Sequence, residues 1–81
     1  MMVLKFYSES CGPCKALSRM IDKAGLQDIV VNVDVDKEPA AVKNYNVKSV
    51  PTVIVTEGEK EIVRWTGLFN VNELIEIVNK Y

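Results

Sequence analysis

Histidine is absent from the 81 residues, which removes the commonest general base and the commonest metal ligand together. Cysteine is scarce. The two present cannot form the multi-bridge framework of a small secreted protein, and structural zinc wants four ligands. With no histidine to help, a thiolate metal site could be completed only by dimerising. No apolar run approaches the roughly 18 residues of a membrane span. The opening M-M-V-L-K-F-Y lacks the basic and long apolar regions of a secretory signal. Net charge is −1, so there is no electrostatic footprint for nucleic acid or an anionic membrane. Repeats, linkers and low-complexity segments are also missing. What remains is one domain, residues 1–81, expected in a reducing cytoplasm, with an apolar content of 48% that is ordinary for a globular chain.

Both cysteines lie in S-C-G-P-C-K, Ser10 to Lys15. The segment follows an apolar stretch, Met2–Tyr7, that reads as a strand covered on both faces. It opens a stretch, Lys15–Ala24, in which Leu17, Met20, Ile21 and Ala24 recur at helical spacing. Ser10 is the expected N-cap, and Pro13 is tolerated in the first turn. Positions i and i+3 share a helix face, so Cys11 and Cys14 can close a small disulfide with little backbone movement. The helix N-terminus favours a thiolate over a thiol, whose free pKa is about 8.5. Cys14 lies on the apolar face with Leu17, while Cys11 sits at the helix tip. Cys11 is therefore expected accessible and Cys14 shielded. A bridge between them closes too short a loop to restrict the unfolded chain much, so its use is chemical.

Ile29–Val35 is nearly continuous β-branched sequence and reads as a second strand, parallel to the first. Pro39 to Tyr45 reads as a short helix. Val50–Thr56, with Pro51 at its head, pairs as a hairpin with Glu61–Thr66 across the turn Glu57 to Lys60. Asn70 caps a last helix, with Glu73 placed as in a capping box and Val71, Leu74, Ile75 and Val78 as the buried stripe.

A strand ending in an aromatic residue, then C-G-P-C-K, then V-P-T about forty residues later, resembles the thioredoxin family. V-D-x-D-x-x-P (Val33 to Pro39) and Gly67 after the last strand extend the resemblance over essentially the whole chain. It implies a minimal α/β thioredoxin fold, β-α-β-α-β-β-α. The four-stranded mixed sheet would run in order 2-1-3-4, with the first and last helices on one side and the short one opposite. It implies a protein-disulfide oxidoreductase, an electron carrier in redox homeostasis, with Cys11 attacking and Cys14 resolving. Gly12 and Pro13 would tune the potential, within a loop bounded by Ser10 and Lys15. Pro51 would be a cis-proline beside the disulfide rather than a plain strand-edge proline, and Val50 would pair with substrate main chain. Gly67 would floor the groove, and Tyr7 would be either groove lining or core. No bound cofactor is implied beyond the Cys11–Cys14 disulfide. The implied partners are disulfide-containing proteins and a flavin- and NADPH-dependent reductase, with the chain acting as a monomer.

Three positions depart from the family pattern. The chain begins where thioredoxins already have a strand and helix, giving glutaredoxin size. Ser10 stands for the usual tryptophan. Lys5 stands six residues before Cys11, where the family carries a buried acid. Lys5 is then either a snorkelling surface lysine or a group acting near the thiols, with Asp34 and Asp36 expected nearby in the adjacent strand region. The alternatives to a thioredoxin-like exchanger are a glutaredoxin recharged by glutathione and a redox-responsive or metal-binding module without turnover. Trp65 reads as packing, and Lys15, Arg19 and Lys23 as the solvated face of the first helix.

Overall fold

The computed structural model describes residues 1–81. Strand β1 (Met2–Tyr7) leads to helix α1 (Gly12–Lys23), β2 (Val30–Asp34), α2 (Pro39–Asn44), β3 (Thr52–Glu57), β4 (Lys60–Thr66) and α3 (Val71–Lys80). The sheet order is β2-β1-β3-β4, as the resemblance implied, with β1–β2 parallel and the other pairs antiparallel.

β1 is central, and Val3, Leu4, Lys5 and Phe6 are all buried. Alternation sends its side chains into two cores. Val3 packs with Leu17, Ile21, Val53, Val55, Val71 and Leu74, so α1 and α3 share one face. Leu4 and Phe6 pack with Val47 and Ile54 under Ala41 and Val42 of α2 on the other.

Several local expectations shift. The α1 cap is Cys11, not Ser10: the Cys14 N–H donates to Cys11 Sγ at 3.1 Å. Met20 is 36% exposed and leaves the α1 stripe to Cys14, Leu17 and Ile21. Asn70 caps α3, but its side chain accepts from Asn72 N–H at 3.0 Å, one residue short of the capping-box pattern. Ile77, rather than Ile75, joins Val78 against the core. β3 starts at Thr52, so Pro51 stands just before the strand.

α2 has no fully buried residue, and besides the packing of Ala41 and Val42 it is tied at its C-terminal end. Asn46, at φ 54°, turns the chain out of it. Arg64 of β4 then donates to Tyr45 O at 2.7 Å and to Asn46 O at 3.4 Å, while its Nε and Nη2 grip Glu61 at 2.9 and 2.7 Å. That hydrogen bond holds the Glu61 carboxyl below its ordinary range and raises the Arg64 guanidinium. The contribution of the pair is thus full above the ordinary carboxylate range and is lost as pH falls through Glu61's lowered value. The group is exposed, so the effect is small. Arg64→Ala should cost about 1 kcal/mol by freeing two carbonyls as well as Glu61. Hydrogen exchange should quicken at the C-terminal end of α2; unchanged protection there would refute the clamp.

Candidate functional site

The register gathers the site at one end of the sheet. β1 runs out at Tyr7 toward the cysteine loop, and Phe6 pairs with Thr52, which places the start of β3 beside it. Thr52 in turn pairs with Thr66, bringing Gly67 alongside. The Gly67 N–H donates to Pro51 O at 2.8 Å. Gly67 sits at φ +84°, a left-handed conformation glycine adopts without a side-chain penalty. The Val50–Pro51 peptide is cis, and Pro51 is buried.

Cys11 and Cys14 form a disulfide with a Cα–Cα distance of 5.2 Å. The loop is drawn in by Cys11 N–H to Ser8 O at 3.2 Å, and Lys15 N–H reaches Cys11 O at 3.3 Å as the first helical bond. Cys11 is half-buried, whereas Cys14 is 2% exposed. The Cys14 N–H that meets Cys11 Sγ is one of the orphan donors of a helix start. A thiolate at Cys11 would inherit that donor and the positive end of a 12-residue helix. Ser10, Gly12, Pro13 and Lys15 are all exposed around it.

The other expected residues divide. Tyr7 is half-buried and lines a cavity of about 310 Å3 with Ser8, Glu9, Cys14, Lys15 and Ser18. Val50 lines a separate cavity of about 240 Å3 with Val35, Val42, Val47, Lys48 and Ser49, on the α2 side. Trp65 stacks on Phe69 with centroids 4.4 Å apart and planes 3° from parallel, in keeping with packing.

Lys5 is 6% exposed, which overturns its reading as a snorkelling surface residue. Its Nζ donates to Ser18 Oγ and lies 5.7 Å from the Tyr7 ring centroid. Burial pushes the ammonium pKa down, and the Asp22 carboxylate opposes that shift. The acid facing Lys5 is therefore Asp22, not Asp34 or Asp36; Asp34 spends an oxygen on the Asp36 N–H at 2.9 Å. Ser18 and Asp22 were not singled out from the sequence. A signal existed, because they lie four and eight residues after Cys14 on α1, the spacing of one helix face.

No helix is long and apolar enough to cross a membrane. A family model described as thioredoxin matches residues 1–80. The thioredoxin of Chlamydia trachomatis serovar D is 33% identical over 84 residues, spanning 100% of this chain and 82% of that protein. Among solved structures, thioredoxin 1 from Thermosipho africanus superposes with a TM-score of 0.81 at 32% identity, covering 100% of this chain and 93% of that one. A malaria parasite thioredoxin-2, described as a component of protein secretion machinery, gives 0.85 at 29% identity, covering 99% and 82%. Sequence, sheet topology and the paired sulfurs agree: the chain belongs to the thioredoxin family, and its chemistry is thiol–disulfide exchange through Cys11 and Cys14.

Proposed function

We propose that Cys11 is the attacking thiolate and Cys14 the resolving thiol in the reduction of protein disulfides. The observation that carries this is the asymmetry of the two sulfurs: Cys11 is reachable at the helix tip and Cys14 is 2% exposed behind it. Cys11 sulfur bonds to one sulfur of the substrate disulfide, and the other leaves as a thiolate that takes up a proton. Cys14 sulfur then attacks Cys11 sulfur, releasing the second substrate thiol. The substrate gains two electrons and two protons, and the protein ends as the Cys11–Cys14 disulfide. An extended substrate chain pairs with Val50 beside Pro51, with Gly67 and Tyr7 bordering its path. Exposed Ser10, Gly12, Pro13 and Lys15 form the rim it crosses.

Proteins with reducible disulfides are the substrates, as the family implies. We assign the recharging step to a flavin- and NADPH-dependent reductase in the cytoplasm. Insulin reduction coupled in parallel to such a reductase and to glutathione with its reductase tests both points. Turnover with the first system is expected. Turnover with glutathione alone would replace the reductase assignment with a glutaredoxin-type cycle, and none with either would reject the reading.

A further inference from the structure

A buried lysine on the central strand is expensive unless its head is bonded or neutral. Around Lys5 the partners are few. Its Nζ meets Ser18 Oγ and the face of Tyr7, and the charged group facing it is Asp22, on α1 with Ser18. β2 places uncharged Asn32 opposite it, and β3 places Val53. The chain between α1 and β2 contributes Gln27, and α3 meets this face through Val71 and Leu74. Burial depresses the ammonium pKa more than Asp22 restores it, which brings the neutral amine closer to working pH.

Ser18 belongs to two cavities. One, of about 220 Å3, is lined by Lys5, Ser18, Asp22, Gln27 and Asn32 among others, polar and large enough to admit water. The other is the cavity it shares with Cys14 and Tyr7. Cys14 and Ser18 are four residues apart on α1, so their Cβ atoms are about 5–6 Å apart. That separation is short enough for the Cys14 thiol of the reduced protein to reach Ser18 Oγ directly or through one water.

We propose that Ser18 and Lys5 form the route by which the buried Cys14 thiol gives up its proton as it resolves the mixed disulfide. This rests on the assignment of Cys14 as the resolving thiol. In the step, the Cys14–Cys11 S–S bond forms and the Cys11–substrate S–S bond breaks, with the electron pair leaving on the substrate sulfur. The Cys14 proton passes to Ser18 Oγ while the Ser18 hydroxyl proton passes to the Lys5 amine. Lys5, now ammonium, returns that proton to solvent through the cavity beside Asp22. Ser18 is the relay and Lys5 the acceptor, so the step runs faster as pH rises through the lowered Lys5 pKa.

The test is a rapid-quench measurement from pH 5.5 to 9, following formation and decay of the Cys11 mixed disulfide by mass after mixing reduced protein with a small aromatic disulfide. Decay in the parent protein should rise with pH across that range. Ser18→Ala and Lys5→Met should each slow it about tenfold at neutral pH, below the usual range for a general base, and move the rise to higher pH. Ser18→Thr, which keeps a hydroxyl, should restore the parent profile. The double variant should be no slower than either single one, because both remove the same route.

An unchanged profile in Ser18→Ala overturns the relay, as does an additive double variant, which would mean that Lys5 acts on the sulfurs through charge alone. Should Ser18→Ala fail to fold, the Lys5→Met profile decides, and no shift there overturns it equally. If the parent forms no mixed disulfide at Cys11, the exchange assignment itself fails. If it forms and resolves identically in every variant, only the relay does.

Discussion

Cys14→Ser should stop the protein halfway: the mixed disulfide between Cys11 and substrate forms and then persists. Cys11 at the helix tip keeps its access and its donor from the residue 14 N–H, so the first attack is unaffected. The second sulfur, by contrast, owes its power to position. Held three residues away on the same helix, it attacks as an intramolecular group, for which effective molarities reach about 10⁵ M or more in well-aligned cases. A millimolar external thiol is a poor replacement, so turnover should fall at least about 10³-fold. Serine preserves size and the helix start, and Cys14's short loop contributes little to stability, so the variant should fold. Mass mapping after incubation with an oxidised protein substrate should find adducts on Cys11. Cys11→Ser should give none. Turnover at the parent rate by Cys14→Ser, or adducts on Cys14 in the Cys11→Ser protein, would reverse the assignment.

Why the exchange chemistry could be read from the chain, and the partners of Lys5 could not, is a matter of range. The reachable Cys11 and the shielded Cys14 follow from spacing within one helix turn, and the strands themselves follow from apolar patterning and short connections. Both are local. The cap went to Cys11 instead of Ser10 because the helix starts one residue later than expected, at Gly12, where the Cys11 sulfur accepts from the Cys14 N–H. Lys5 was ambiguous for a different reason. Its place in an otherwise buried strand says inside, its side chain says outside, and the deciding contact is with Ser18, thirteen residues on. Asp34 and Asp36 looked near Lys5 because they belong to the neighbouring strand region. The fold instead turns Asp34 to the following backbone and offers Asp22 from α1. Register places backbones side by side; which polar heads meet depends on helix rotation, as with Met20, which slipped to the exposed edge of α1.

Phe6→Ala should come close to unfolding the protein. Phe6 is fully buried and packs with Leu4, Val47 and Ile54, with its ring edge-to-face with Tyr45 at 5.7 Å between centroids. This second core is small, and the helix over it has no fully buried residue of its own, so the neighbours cannot collapse far into the space left behind. Truncations of this kind cost about 3–5 kcal/mol. At about 0.05–0.15 kcal/mol per residue, a chain of this length has roughly 4–12 kcal/mol in total. Val50 packs on the same cluster, so the loosening should reach the segment that leads into Pro51 and weaken substrate reduction before global unfolding. Phe6→Leu keeps most of the apolar volume and should cost about 1–1.5 kcal/mol. Urea unfolding followed by Trp65 fluorescence reads the difference. The midpoint should drop steeply for alanine and little for leucine, with the dependence on denaturant unchanged. An alanine variant less than about 1 kcal/mol below the parent would mean that α2 holds itself through Arg64 and its loops, and that the ring contributes far less than such truncations usually do.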